Sequence, residues 1–179
     1  MKNLVYILTI FILGCSHNTK NGSTTSSYTY SIDSIDITVF VSDSMKNQIF
    51  PNNYKVVNTE ISEIVECETL LKTYIAQYNQ RGILRADSLN KRHRIKYSSE
   101  AIDVEQFLID LKNYGRQYIS AIDNRNHKLV YINCFCNPLE FPYRHKDWVF
   151  VFDGGNCFFQ LKIDLTDKKV IDFSENGVA

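Results

Sequence analysis

Apolar and polar residues alternate from Ile35 to Val41, in IDITVFV, the period of a strand with one buried face. A turn-rich stretch through Pro51, Asn52 and Asn53 follows, then a short strand candidate from Tyr54 to Val57. The period then changes. Ile61, Ile64, Val65, Leu71, Tyr74, Ile75 and Tyr78 make one apolar stripe at helical spacing, which predicts a helix from Thr59 to Tyr78. Asn58 or Thr59 stands where a cap belongs, Glu60 and Glu63 suit the positive end of the dipole, and Gly82 sits just past the predicted end.

A shorter helix fits Ile102 to Asn113, with Val104, Phe107, Leu108 and Leu111 on one side. The rest reads as strands. Arg116–Ile122 and Lys128–Phe135 flank a turn over Asp123–His127, the pattern of a hairpin. After a loop with Pro138 and Pro142, Trp148–Asp153 and Cys157–Leu165 meet at Gly154-Gly155, which suits a type I′ turn. That register would set Phe152 opposite Cys157, Phe150 opposite Phe159 and Trp148 opposite Leu161. Val170–Phe173 returns as a last strand, and there is no internal repeat. The expected fold class is α+β: a mostly antiparallel sheet with one long helix packed on one face, similar in outline to cystatin-like or nuclear-transport-factor-like folds.

The first residues add an address. Met1-Lys2-Asn3 is a positive start, and Leu4–Leu13 is an apolar run of signal-peptide length that ends at Gly14-Cys15. A stable membrane span needs about 20 apolar residues, so this run is too short to be one. Ile12-Leu13-Gly14-Cys15 resembles the lipobox of bacterial lipoproteins, in which the cysteine sulfur takes a diacylglycerol and becomes the mature N-terminus. The expected organisation is a signal peptide at 1–14, a lipidated N-terminus and flexible tether at 15–34, and one α+β domain at 35–179. Acyl chains such as palmitate contribute about 0.8 kcal/mol per buried methylene, so several on Cys15 would anchor the chain durably. The Ser, Thr, Asn and Gly composition of the tether gives it a random-coil reach of about 25 Å.

Charge narrows the partners. Twenty basic residues balance twenty acidic ones, which argues against nucleic acid, as does an extracytoplasmic address. The local exception runs from Arg81 to Tyr97, where Arg81, Arg85, Lys91, Arg92, Arg94 and Lys96 face only Asp87. It reads as a solvated basic loop, or as a surface for anionic lipid headgroups, polysaccharide or an acidic protein face.

Cysteine chemistry comes next. Setting Cys15 aside leaves Cys67, Cys134, Cys136 and Cys157 in a compartment that permits disulfides. Cys134 and Cys136 point the same way along a strand, about 6.6 Å apart, and are poorly placed to bond each other. In a simple meander Cys157 lies at the far end from Cys136, so the preferred bridge joins Cys67 to Cys134 or Cys136, with reduced core thiols as the alternative. Zinc is disfavoured, because a lone C-x-C faces only His93, His127 and His145 in scattered positions. Neither a metal nor another cofactor is expected. No C-x-x-C at a helix start, G-x-S-x-G, phosphate loop or H-E-x-x-H is present. Glu60 with Glu63 and Asp103 with Glu105 read as caps and solvated faces, and Asp153 as a turn residue.

Three C-terminal motifs occur together: VYINCFC at 130–136, Trp148 leading into DGGNCFF at 153–159, and NGVA at 176–179. With the lipobox they resemble a group of small Bacteroidetes lipoproteins without an assigned reaction. The resemblance covers roughly Gln117 to Ala179. It implies that the cysteine strand and the glycine hairpin belong to one structural unit, and brings no catalytic residues. The expected function is therefore a non-enzymatic, membrane-anchored envelope module that binds another envelope protein or component, including an inhibitor or immunity-type factor. The alternatives are an envelope hydrolase using Cys157 or a carboxylate with a histidine, and a structural tether.

Overall fold

The computed structural model describes residues 26–97 and 103–177, so the segment expected to be a signal peptide, Cys15 and the part of the expected tether up to residue 25 lie outside the described residues. Seven strands form one sheet in the order β1 (Ser26–Ile32), β2 (Ile35–Val41), β4 (Tyr114–Ile122), β5 (Lys128–Cys136), β6 (Phe158–Asp164) and β7 (Lys169–Glu175). The short β3 (Lys55–Val57) pairs with Ser120–Ile122, past the part of β4 that β2 covers. All pairings are antiparallel except β2 with β4. A parallel pair requires a crossover, and α1 (Asp43–Ile49), β3 and α2 (Ile61–Tyr97) supply it. The expected α+β class, the β4–β5 hairpin and the strand at 35–41 are present, and the strands expected at 54–57 and 170–173 are found at Lys55–Val57 and Lys169–Glu175.

Alternation sorts the sheet into two faces. Ile37, Val39, Tyr118, Ile132, Leu161 and Ile163 point toward α2, where Ile64, Cys67, Leu71 and Ile75 complete the main core. Val65, assigned above to the stripe, is 42% exposed, and Cys67 and Glu68 take the inward positions instead. The opposite face carries Ile119, Ala121 and Leu129, covered by Phe50, Met45 and Ile49 from α1 and its end and by Trp148.

Several expected boundaries move, each for a physical reason. Ser26–Ser34 is no tether: Tyr30 and Ile32 pack on the core, and Asp33 and Ser34 both take positive φ in the tight turn into β2. The helix does not stop near Gly82. Ile83, Leu84, Arg85 and Ala86 are compatible with helix, and the buried Ala86 outweighs the roughly 1 kcal/mol cost of one glycine. At 37 residues α2 is about 55 Å long. Neither Asn58 nor Thr59 caps it. The Glu63 carboxylate accepts from the Glu60 N–H at 2.7 Å, while the Thr59 and Ser120 hydroxyls pair at 2.6 Å in the interior.

The second helix is absent over the described part of 102–113. Asn79 of α2 binds Ile109 through both its backbone N–H and C=O, each at 2.9 Å, which holds that residue extended. Short 3-10 turns at Val104–Phe107 and Leu111–Asn113, capped by Asp103 and Asp110, take its place. The expected turn through Pro51, Asn52 and Asn53 is present, closed by the Tyr54 N–H on the Pro51 carbonyl, but the residues before it form α1, whose buried Lys46 donates to the carbonyls of Asn52 and Tyr54.

Gly115 marks a close approach. A Cβ there would sit 2.8 Å from the Phe135 ring and 2.9 Å from Pro138. Gly115→Ala should therefore cost about 1–3 kcal/mol through overpacking. An unchanged urea midpoint would show that the Phe135 ring moves aside freely.

Candidate functional site

Four polar residues line up across the face opposite α2. Gln117 pairs with Asn133, Asn133 with Gln160, and Gln160 with Ser174 in the registers of β4, β5, β6 and β7. Side-chain amides in mid-strand need partners once covered, and they find them in the segment 144–153. Gln117 donates to the carbonyls of Arg144 and Asp147 at 2.7 and 2.8 Å and accepts from the Val149 N–H at 2.8 Å. Asn133 donates to Gln117 and to the Val149 carbonyl, and Asn176 donates to the carbonyls of Val151 and Asp153.

The segment is thereby strapped across the strands. At its start Arg144 pairs with Asp36, and His145 bonds Thr38 at 2.9 Å. Trp148–Asp153 is thus not a strand, and the expected hairpin with Cys157–Leu165 does not form. β6 pairs with β5 directly, Phe158 opposite Phe135 and Phe159 opposite Cys134. Gly154 and Gly155 do adopt positive φ, 92° and 57°, but lead into a 3-10 turn at Gly155–Cys157.

This register overturns the expected cysteine pairing. Cys157 stands one position before Phe158, opposite Cys136, and the two form a disulfide with Cα atoms 5.1 Å apart. Cys67 and Cys134 are free and buried. The meander premise failed because the residues that were to separate β5 from Cys157 run over the sheet and not within it. Burial, partly offset by Arg116, pushes the Cys134 thiol up to about 12, and burial with Glu68 beside it raises Cys67 further. Both are inert core residues at neutral pH.

Beside the strap lies a groove of two adjoining lobes, one of about 230 Å³ between the strap and strands β5 and β6 and one of about 170 Å³ between the strap, β5 and α1, with Tyr131, Trp148 and Phe150 lining both. Asn133, Gln160 and Asn176 contribute polar groups to the larger lobe, and Met45 and Ile49 of α1 line the smaller. Phe150 and Phe152, 64% and 86% exposed, meet edge to face at the rim with ring centroids 5.0 Å apart. Among the described residues no charged side chain lines either lobe. The sequence reading missed this site by placing Trp148–Asp153 in the sheet. The one signal of it in the sequence is an amide in each of three largely apolar strands, Gln117, Asn133 and Gln160, on the side opposite the helix-facing residues.

The other candidate residues lie elsewhere. Arg81, Arg85, Lys91 and Arg92 belong to the exposed distal part of α2, not to a loop; the side chains of His93, Arg94 and Lys96 lie outside the described residues. Arg81 stacks over Tyr74 at 5.8 Å. His127 bonds Asp164 at 2.8 Å and approaches Asp167, whose carboxylate also holds the Lys169 ammonium at 2.7 Å. These three could offer ligand atoms to a metal, but the ammonium already neutralises Asp167. Cys157, bonded to Cys136, presents no thiolate to a histidine.

Thr38, His145 and Asp36 are ordered as hydroxyl, imidazole and carboxylate, with the second imidazole contact at 3.5 Å. Thr38 is 2% exposed and Asp36 is held by Arg144, so this chain of bonds pins the strap and admits no substrate. Burial, opposed by Asp36 and aided by Arg144, lowers the His145 pKa. The unfolded chain then protonates first as pH falls below about 6.5, so His145 favours folding fully above that pH and loses the contribution below it. The urea midpoint should accordingly fall between pH 7.5 and pH 5, and by less in His145→Gln. Equal falls in both proteins would assign the effect to other groups.

No protein-family model matches the chain, and no curated protein or solved structure matches it either.

Proposed function

We propose that the chain is an envelope lipoprotein, anchored through lipid on Cys15, whose domain binds a component of the cell envelope through the aromatic groove. The observation that carries this reading is the Phe150–Phe152 pair, held outward by a strap that the sheet clamps from β2 to the end of β7. Leaving two adjacent phenyl rings in water forgoes burial worth about 1.5–3 kcal/mol for each ring. A neighbouring neutral, partly polar groove gives that cost a purpose. The lipobox supports the address and the even complement of remaining cysteines suits it.

Two measurements test the reading. Cys15→Ser should move the protein from the membrane to the soluble fraction and abolish labelling by a fatty-acid analogue; persistence of either in the variant would refute the anchor. In intact cells Phe152→p-benzoylphenylalanine should crosslink to a saturable envelope component, while the same probe at Ile171, exposed on β7, should not. Equal crosslinking from both positions would refute the groove as the binding surface.

A further inference from the structure

Resting on that reading, we propose that the groove takes a neutral saccharide chain, one pyranose ring in each lobe. Each lobe is smaller than the roughly 300 Å³ at which drug-sized ligands are enclosed, so each suits one ring. Sharing Tyr131, Trp148 and Phe150 places the two rings as neighbours in one chain. Aromatic faces carry partial negative charge and attract the C–H face of a pyranose, whose hydroxyls then point to the rim and floor.

The floor has hydrogen-bonding capacity to give. Gln160 Nε2 reaches the Asn133 and Asn176 side-chain oxygens at only 3.5 and 3.4 Å, well beyond the usual 2.9–3.0 Å. Its own oxygen accepts one bond, from Ser174 at 3.1 Å, and retains a second lone pair. Slack donors beside slack acceptors match a hydroxyl, which donates and accepts at once. A purely apolar ligand would bury these amides with nothing better than their present contacts, at a desolvation cost. An anionic ligand would find no cation among the lining residues. An extended peptide gains most from unpaired backbone at a sheet edge, whereas β5 and β6 beneath the groove are interior strands already paired on both sides.

Trp148 is the one tryptophan of the chain and lines both lobes, so its fluorescence reports the site directly. The test uses the full chain carrying Cys15→Ser, which keeps detergent away from the groove. It is titrated with cellotetraose, maltotetraose and mannotetraose, with tetragalacturonate as the acidic sugar and acetyl-Phe-Gly-Phe-amide as the peptide. At least one neutral tetrasaccharide should give a saturable change in Trp148 emission. Phe152→Ala should weaken it about tenfold without a change in Tm, the scale of a lost stacking contact, and Gln160→Met should weaken it by a similar factor. A response to tetragalacturonate or the peptide alone would overturn the saccharide inference and leave the binding-module reading standing. Silence toward every neutral tetrasaccharide would overturn the inference too. The binding-module reading then stands or falls separately, on the Phe152 crosslinking.

Discussion

Glu68→Ala should lower the stability of the domain by about 3–5 kcal/mol, more than any surface substitution on this chain. Glu68 sits on the inward side of α2 with its side chain 4% exposed, and Arg116 on β4 is completely buried beneath it, Nε 2.8 Å from Glu68 Oε1. The guanidinium also donates to the carbonyls of Tyr114 and Leu111, and the Tyr118 hydroxyl donates to the same carboxylate oxygen at 2.6 Å. Burial, followed by the neighbouring carboxylate, raises the Tyr118 pKa well above that of a free phenol, so this hydroxyl keeps its proton and its bond. Removing Glu68 leaves a guanidinium in the core with no counter-charge. The pair itself is no efficient source of stability: Glu68 Oε2 has no hydrogen-bond partner, and Arg116 Nε faces the carboxylate outside hydrogen-bond geometry. Glu68→Leu with Arg116→Met should therefore regain most of the loss. Urea unfolding of the wild type, Glu68→Ala and the double variant decides the matter. A Glu68→Ala cost below about 1 kcal/mol would mean that water reaches the guanidinium, and the helix does not seal this face.

Cys157→Ser should cost about 3 kcal/mol, and reduction of the wild type should cost the same. The Cys136–Cys157 bond closes a loop with a sequence separation of 21, and a loop of that length restricts the unfolded chain by an amount worth about 3 kcal/mol. The effect should be local as well as global, because the closed loop carries the whole strap. Without the bond the strap retains its ties to Gln117, Asn133 and Asn176, but its return end at β6 is no longer fixed to β5. Trp148 emission should shift to the red before global unfolding in the reduced protein, and together with it in the oxidised protein. Coincident transitions in both would show that the amide ladder holds the strap unaided. Cys67→Ala and Cys134→Ala serve as controls. Each removes a buried thiol that bonds no other cysteine, so their losses should not depend on reductant.

The sheet was legible wherever one strand declares its own face. Ile35–Val41 alternates cleanly, and Asp123, which accepts from the backbone N–H groups of both Arg125 and His127, builds its turn from adjacent residues. The first half of α2 was legible for the same reason, since its stripe is periodic within one segment. β1 was not, because Ser and Thr between Tyr28, Tyr30 and Ile32 give the composition of a tether, and only the pairing with β2 makes a strand of it. The extension of α2 was not, because a glycine in a helix is a cost that neighbours decide. The candidate groove was hidden by the same ambiguity. WVFVFD alternates as a strand would, and nothing within those six residues says that Gln117 and Asn133 are waiting to accept and donate to Val149.

Local patterns by themselves determined the α+β class, the β4–β5 hairpin, the face of α2 that points inward from Ile64 to Ile75, and the candidate lipidation signal at Cys15. Each depends on residues within a few positions of one another, where period and turn chemistry act directly. Tertiary structure alone decided that Cys136 bonds Cys157, that Glu68 meets Arg116, and that Trp148–Phe152 lies over the sheet as one wall of a groove. These depend on register between strands far apart in the chain, and a register is chosen by the sum of all the pairs it brings together, not by any segment read alone.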